Sequence, residues 1–241
     1  MHPRGALLIL ILALTAQDAV QAGRIFGGSE ALPHSRPYMV LVEGRMLTGK
    51  KKYCGGFLLR EDFVMTAAHC VSSHTVKLGV HDGSKEEANV QSIPVEQAFP
   101  NKDYDKETFR NDILLLKLSS KAELNSNVAT IAMAGPEDGA PRLCSVAGWG
   151  CSDHYGAMMT PVLMEVNVTL GPCRNQHQNS DFYCSKGRKG IGSGDSGGPL
   201  VCEHGKVYGV VSAKQMIEPI FHLFAKVQKH SDWINNIMNG H

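Results

Sequence analysis

Residues 192–200 read Gly192-Ser193-Gly194-Asp195-Ser196-Gly197-Gly198-Pro199-Leu200, one serine enclosed by glycines and an aspartate. A surface hydroxyl needs no such setting. A nucleophilic serine does, because its oxygen must be exposed and a cluster of backbone N–H groups must converge on one point. Without Cβ, Gly194, Gly197 and Gly198 can take positive φ and let a bound carbonyl approach the main chain, while Asp195 can fix the turn from inside. The same composition also suits a solvated glycine-rich loop. The rest of the chain decides between them.

The first residues read as an export signal. Arg4 gives a positive start, Ala6 to Leu14 is an unbroken apolar run, and Val20-Gln21-Ala22 has the form of a signal-peptidase site, so residues 1–22 are expected to be removed. That run is too short to span a bilayer, no later stretch is long enough, and no membrane is expected as a partner. Roughly 220 residues remain, enough for one large all-β domain or two small ones. The chain holds 24 Lys plus Arg against 23 Asp plus Glu, and losing residues 1–24 with Arg4, Arg24 and Asp18 makes the two signs equal. This balance argues against nucleic acid as the main partner. Lys50-Lys51-Lys52 and Lys186 to Lys189 read as solvated basic loops. Seven cysteines in an exported chain suggest disulfides rather than a thiol enzyme or a zinc site. No Cys-x-x-Cys pair is present, so neither metal nor cofactor is expected, and the odd count leaves one cysteine over.

Short β-rich runs recur at Tyr38–Val42, Phe57–Leu59, Phe63–Thr66, Ile113–Leu118, Cys144–Ala147, Val162–Val168, Val207–Val211 and Leu223–Val227, divided by Gly, Pro, Asn and Asp clusters. Many short strands predict an all-β barrel or sandwich. One helical pattern closes the chain, where Trp233, Ile234, Ile237 and Met238 share a face after a candidate cap at Ser231. Ala134 to Arg142 (AGPEDGAPR) is the candidate linker between two halves.

An aliphatic alcohol is a poor nucleophile until a base takes its proton, so a catalytic Ser196 requires a histidine and a group that orients it. Of eleven histidines, most sit in loops such as those of His74, His154 and His177. His69 differs: it ends a strand-like run in Thr66-Ala67-Ala68-His69-Cys70, where small neighbours let an imidazole face a cleft. Asp112 precedes Ile113–Leu118, so a buried strand could carry it inward, although an ordinary strand-entry aspartate fits as well.

With these three segments in His, Asp, Ser order, the chain resembles the chymotrypsin-like (trypsin-fold) serine proteases. TAAHC, NDILLLKL and GDSGGPL match that family's motifs, and Ile25-Phe26-Gly27-Gly28 stands where its mature N-terminus begins. The resemblance implies two six-stranded antiparallel β-barrels, with the N-terminal one over about residues 25–133, the C-terminal one over about 134–228, and a helix over about 231–238. It implies Ser196 as nucleophile, His69 as general base, Asp112 as its orienter, and the N–H groups of Gly194 and Ser196 as the oxyanion hole. Asp195 would receive the new ammonium of Ile25 after cleavage at Arg24, which leaves Gly23-Arg24 as an activation dipeptide. The implied bridges are Cys54 to Cys70, Cys144 to Cys202 and Cys173 to Cys184. Cys151 is then the spare, either a buried thiol in a monomer or a link to a second chain.

A missing bridge before GDSGGP, the short propeptide and Arg36-Pro37-Tyr38-Met39 are similar to the granzyme and mast-cell protease branch, which implies a secreted or granule-stored enzyme. An activating protease, protein or peptide substrates, serpin-type inhibitors and proteoglycans are its implied partners. The floor of the primary specificity pocket falls at Gly190 beside Ile191, with Lys214 and His222 lining it. Trypsin-like enzymes carry Asp at the floor, so Arg or Lys specificity is not expected. A lysine and a histidine in one slot favour an acidic side chain, whereas a plugging Lys214 would leave the pocket shallow. Ser212-Ala213-Lys214 replaces the usual Ser-aromatic-Gly, which lowers expected activity on small peptides. Ser212 could support Asp112 by a hydrogen bond. Asn167-Val168-Thr169 is a glycosylation acceptor within a strand-like run. The expected function is an endopeptidase acting through an acyl-enzyme. The alternative is a weak or silent binding protein on the same scaffold.

Overall fold

The computed structural model of the chain describes residue 25 and residues 27–45, 49–70, 73–85, 87–151 and 159–241. The signal-like segment 1–22, residue 23 and Arg24 lie outside the described residues.

Six strands form the first barrel: β2 (Met39–Arg45), β3 (Lys51–Arg60), β4 (Phe63–Thr66), β5 (Ser73–Leu78), β6 (Gln91–Pro100) and β7 (Leu114–Leu118). They pair antiparallel in the order β2-β3-β4-β7-β6-β5 and close on themselves, so no edge strand is left open. β4 is buried at every residue and β7 at all but Lys117, because one face fills the barrel and the other is covered from outside. Phe57, Leu58, Phe63, Leu114 and Leu116 are fully buried there. Each such side chain contributes about 1.5–3 kcal/mol relative to exposure.

The second barrel uses β8 (Leu143–Gly148), β9 (Met164–Gly171), β10 (Phe182–Lys186), β11 (Pro199–Val201), β12 (Val207–Gln215) and β13 (Phe221–Lys226). Its order is β9-β10-β13-β12-β11-β8, and a β8–β9 pairing closes it. A two-residue strand, β1 (Ser29–Glu30), precedes the first barrel in the chain yet pairs with β9 of the second. A register shift between Val211 and Ala213 leaves Ser212 outside the β12–β13 pairing, and such a bulge re-aims the side chain it carries. Helix α1 (Ser231–Gly240) buries Ile234 in the core cluster that also holds Leu114 and Leu116, with Trp233, Ile237 and Met238 packed against it. The expected class, two six-stranded antiparallel barrels with a C-terminal helix, is the one found.

Two local expectations change. Ser231 is the first helical residue rather than the cap, and its hydroxyl donates backward to Gln228 O at 2.9 Å. The linker is not featureless: Pro136–Asp138 makes a 3-10 turn in which the Asp138 carboxylate accepts from Gly135 N at 2.7 Å and pairs with Lys206 at 2.7 Å. The disulfides are Cys54–Cys70, Cys144–Cys202 and Cys173–Cys184, and Cys151 is buried outside them. Among the described residues no helix is long and apolar enough to cross a membrane.

Candidate active site

His69 lies on a 3-10 turn, Ala68–Cys70, that leaves β4, and the Cys54–Cys70 bridge ties this turn back to β3. Asp112 stands two residues before β7, the neighbour of β4, so sheet pairing alone brings the two together. Asp112 is fully buried. Its Oδ1 accepts from His69 N at 2.9 Å and its Oδ2 lies 2.8 Å from His69 Nδ1. Facing a carboxylate, Nδ1 carries the proton and Nε2 keeps the lone pair. Ser212 donates to the same Oδ2 at 2.5 Å from the bulge in β12, so the second barrel also holds the carboxylate. These contacts offset the cost of burying an unpaired charge.

The Ser196 loop docks on the first barrel through its backbone. Gly55 N on β3 donates to Ser196 O at 2.8 Å, and Cys70 Sγ lies 3.9 Å from the same oxygen. Gly197 has φ 84°, and a Cβ there would meet Thr66 Oγ1 at 2.0 Å and Gly55 O at 2.4 Å. Only glycine permits this approach. Gly194, at φ 98°, turns the chain before Asp195. Neither Gly194 N nor Ser196 N donates to another of the described residues.

Asp195 points inward, 1% exposed, and accepts from Gly150 N at 2.8 Å and Gly192 N at 2.7 Å. A Cβ on Gly148 would meet its Oδ1 at 2.1 Å, so the glycines flanking Trp149 make room for it. Burial raises its carboxyl to about 6 despite these two amides and the charge of Lys214. Ile25 is fully buried in the core cluster that includes Ile191, Met164 and Phe224.

The proposed specificity pocket departs from its expected electrostatics. His222 is fully buried, its ring lies where a Cβ on Gly190 would meet Nε2 at 2.7 Å, and Nε2 is 3.0 Å from Gly187 O. Burial pushes its pKa down to about 4, so the ring is neutral near pH 7. Lys214 pairs with His222 across β12 and β13, which places both on one side of the sheet. The positive charge expected of the pair therefore rests on Lys214 alone. Burial also lowers the Lys214 pKa, against the pull of Asp195. Ile191 is buried in the second core. Asn167 sits within β9, backbone-paired with β8 opposite Ser145, but its side chain is exposed.

Sequence reasoning missed three contributors. Lys52 Nζ donates to His69 O at 2.7 Å, although its lysine run reads as a solvated loop. The Phe109 ring meets the His69 ring edge-on, 5.8 Å between centroids. Thr66 donates to Gly55 O at 2.7 Å and lines the dock for Gly197. The TAAHC segment holds Thr66, but nothing local marks the other two. Cys144, Cys202 and Glu203 cluster as metal ligands do, but both cysteines are consumed in a disulfide.

Two closed six-stranded barrels, bridged from Ser212 to the buried Asp112 beside His69 and from Ser196 O to Gly55 N, have the architecture of the two-barrel serine proteases. The chain belongs to the trypsin family, whose model, described as Trypsin, matches residues 25–234. Members of this family are serine endopeptidases, hydrolases of peptide bonds. Within it, the chain is similar to mast cell protease 8 of Mus musculus, 40% identical over 96% of each chain. It is also similar to granzyme B of Rattus norvegicus, 38% identical over 96% of this chain and 98% of that one, and to cathepsin G of Homo sapiens, 37% identical over 97% and 94%. The solved structure described as "Structure of GrC" superposes with a TM-score of 0.81 at 37% identity, covering 89% of this chain and 100% of the other.

Proposed function

We propose that the chain is an exported serine endopeptidase in which Ser196 is the nucleophile, His69 the general base and Asp112 its orienter. The observation that carries this reading is the pair of bonds from His69 to the buried Asp112, with Ser212 on the remaining side. Ser196 Oγ attacks the scissile carbonyl while His69 Nε2 takes its proton. The oxyanion accepts from the amides of Gly194 and Ser196, which no other described residue engages. His69 then protonates the leaving amine, and water returns through the same steps to release the acyl group. Asp195 receives the ammonium of Ile25 once the bond after Arg24 is cut, and burial of both residues supports that pairing.

Primary specificity is non-tryptic, since Gly190 supplies no carboxylate for a basic side chain. Lys214 favours an acidic one, and the neutral His222 ring against Gly190 limits its reach. The granzyme and mast-cell relatives support export and granule storage, protein substrates and serpin-type inhibitors. The burial of Cys151 favours a monomer over a disulfide-linked dimer, and the exposed side chain of Asn167 suits glycosylation. A weak or silent scaffold protein is the second reading, drawn from the filled pocket floor and the lost Ser-aromatic-Gly pattern.

A fluorophosphonate probe on the chain beginning at Ile25 separates the two. Rapid labelling that vanishes in Ser196→Ala is expected, and no labelling would leave the scaffold reading. A peptide library should then rank Asp or Glu above Arg before the scissile bond, and an Arg preference would overturn the pocket assignment.

A further inference from the structure

Asp181, just before β10 in the second barrel, takes no part in the proposed reaction, and its side chain is only 3% exposed. Arg110 Nε lies 3.0 Å from its Oδ2, Ser180 Oγ donates to Oδ2 at 3.1 Å, and Lys229 Nζ donates to Oδ1. Burial alone would raise this carboxyl, but the bonds from Lys229 and Ser180, with the charges of Lys229 and Arg110, hold it below the ordinary range. It is therefore ionised near neutral pH.

Arg110 belongs to the other barrel, on the loop between β6 and β7 that delivers Asp112. Its neighbours Phe109 and Asn111 have φ of 58° and 56°, a left-handed backbone that a side chain disfavours and that persists only where the surroundings fix it. Asp105 N donates to Arg110 O at 3.1 Å, and Asn111 Nδ2 donates to Asp103 O at 2.8 Å. Lys229 Nζ reaches Asn111 Oδ1 at 3.5 Å. One carboxylate thus anchors a strained turn across the seam, and this turn sets the Phe109 ring against His69. Phe109, Arg110 and Asp181 share a cleft of about 510 Å³ with Ala213 and Lys214 of β12. With the residue directly before the scissile bond assigned to the Gly190 pocket, this cleft is left for the substrate residue that precedes it.

We propose that Asp181 is a positioning residue: through Arg110 it fixes the turn that holds Phe109 edge-on to His69, and so limits the size of the substrate side chain admitted beside the histidine. This rests on the reading of His69 and Ser196 above.

The test compares Asp181→Asn, Arg110→Gln and Arg110→Lys with the parent chain, using Arg188→Gln, an exposed ion pair elsewhere, as control. Two readouts are needed: hydrogen exchange of amides 105–111, and the kcat/KM ratio for peptides carrying Ala or Leu at the residue that precedes the one entering the Gly190 pocket. The expected result is faster exchange in Asp181→Asn and Arg110→Gln and an Ala-to-Leu ratio reduced about tenfold, with fluorophosphonate labelling kept. Arg110→Lys should recover part of both. Unchanged exchange in folded Arg110→Gln overturns the anchor, and faster exchange with an unchanged ratio overturns its role in selection. Should Asp181→Asn fail to fold, Arg110→Gln carries the test, because the Arg110 side chain is 56% exposed. A parent chain that fails to label sinks the assignment of Ser196 instead, and exchange alone then decides whether the turn is anchored.

Discussion

Ser212 reaches Asp112 Oδ2 at 2.5 Å from a strand bulge on the opposite barrel, while His69 bonds the same carboxylate from its own turn. Removing the hydroxyl leaves a fully buried anion with one fewer charge-assisted bond, a loss of about 1.5–3 kcal/mol. Ser212→Ala should therefore lower kcat by about tenfold to about a hundredfold while KM moves little, because the bond orients the base rather than holding substrate. Steady-state kinetics on the best library peptide checks this. An unchanged kcat would mean that His69 and its own amide suffice to hold Asp112. His222 teaches a different lesson at the same scale. Its residue type promises a charge, but full burial against Gly190 removes it.

At the scale of elements, the Ser196 loop and β3–β4 form one fitted joint. Gly197→Ala would force a Cβ to 2.0 Å from Thr66 Oγ1 at a φ that side chains rarely adopt. It should abolish fluorophosphonate labelling while leaving the strand signal in circular dichroism intact, whereas retained labelling would show that the loop has room to shift. What the sequence made legible follows the same division. β4 (FVMT) and β7 (LLLKL) were readable because buried central strands are continuous apolar runs. β6 was not, since QSIPVEQAFP holds two prolines and is largely exposed, and β11 was hidden because its Pro-Leu-Val is the tail of the serine loop itself. His69, Asp112 and Ser196 could be proposed from the sequence because base, orienter and nucleophile demand fixed residue types, here on the turn after β4, two residues before β7 and in the glycine-rich loop before β11. Lys52, Phe109 and Asp181 could not, since each matters through a contact that only the folded chain creates.

Across the whole molecule, Asp195 couples protonation to folding. With residues 1–24 attached it is a buried carboxyl raised to about 6 from 3.8, chiefly by desolvation. The folded chain then binds more protons than the unfolded one between about pH 4 and about pH 6, so stability from this group is present at the acid end and lost as pH rises through that window. The urea midpoint of the uncleaved chain should fall between pH 5 and pH 7 more steeply than that of Asp195→Asn. A chain beginning at Ile25 should show a weaker slope, because its ammonium offers the carboxylate a partner. A slope equal in all three would detach Asp195 from both effects.

Each of the three disulfides closes within one barrel, Cys54–Cys70 in the first and the other two in the second. Among the described residues nothing covalent except the connecting chain therefore staples the halves, and the proposed meeting of imidazole, carboxylate and alcohol depends on packing, hydrogen bonds and a few ion pairs along a shared wall. Agents that let the halves slip, such as pressure or dilute denaturant, would silence the enzyme while both halves stay folded. Thiol reductants would act in the reverse order, loosening each half from within before the wall between them gives way.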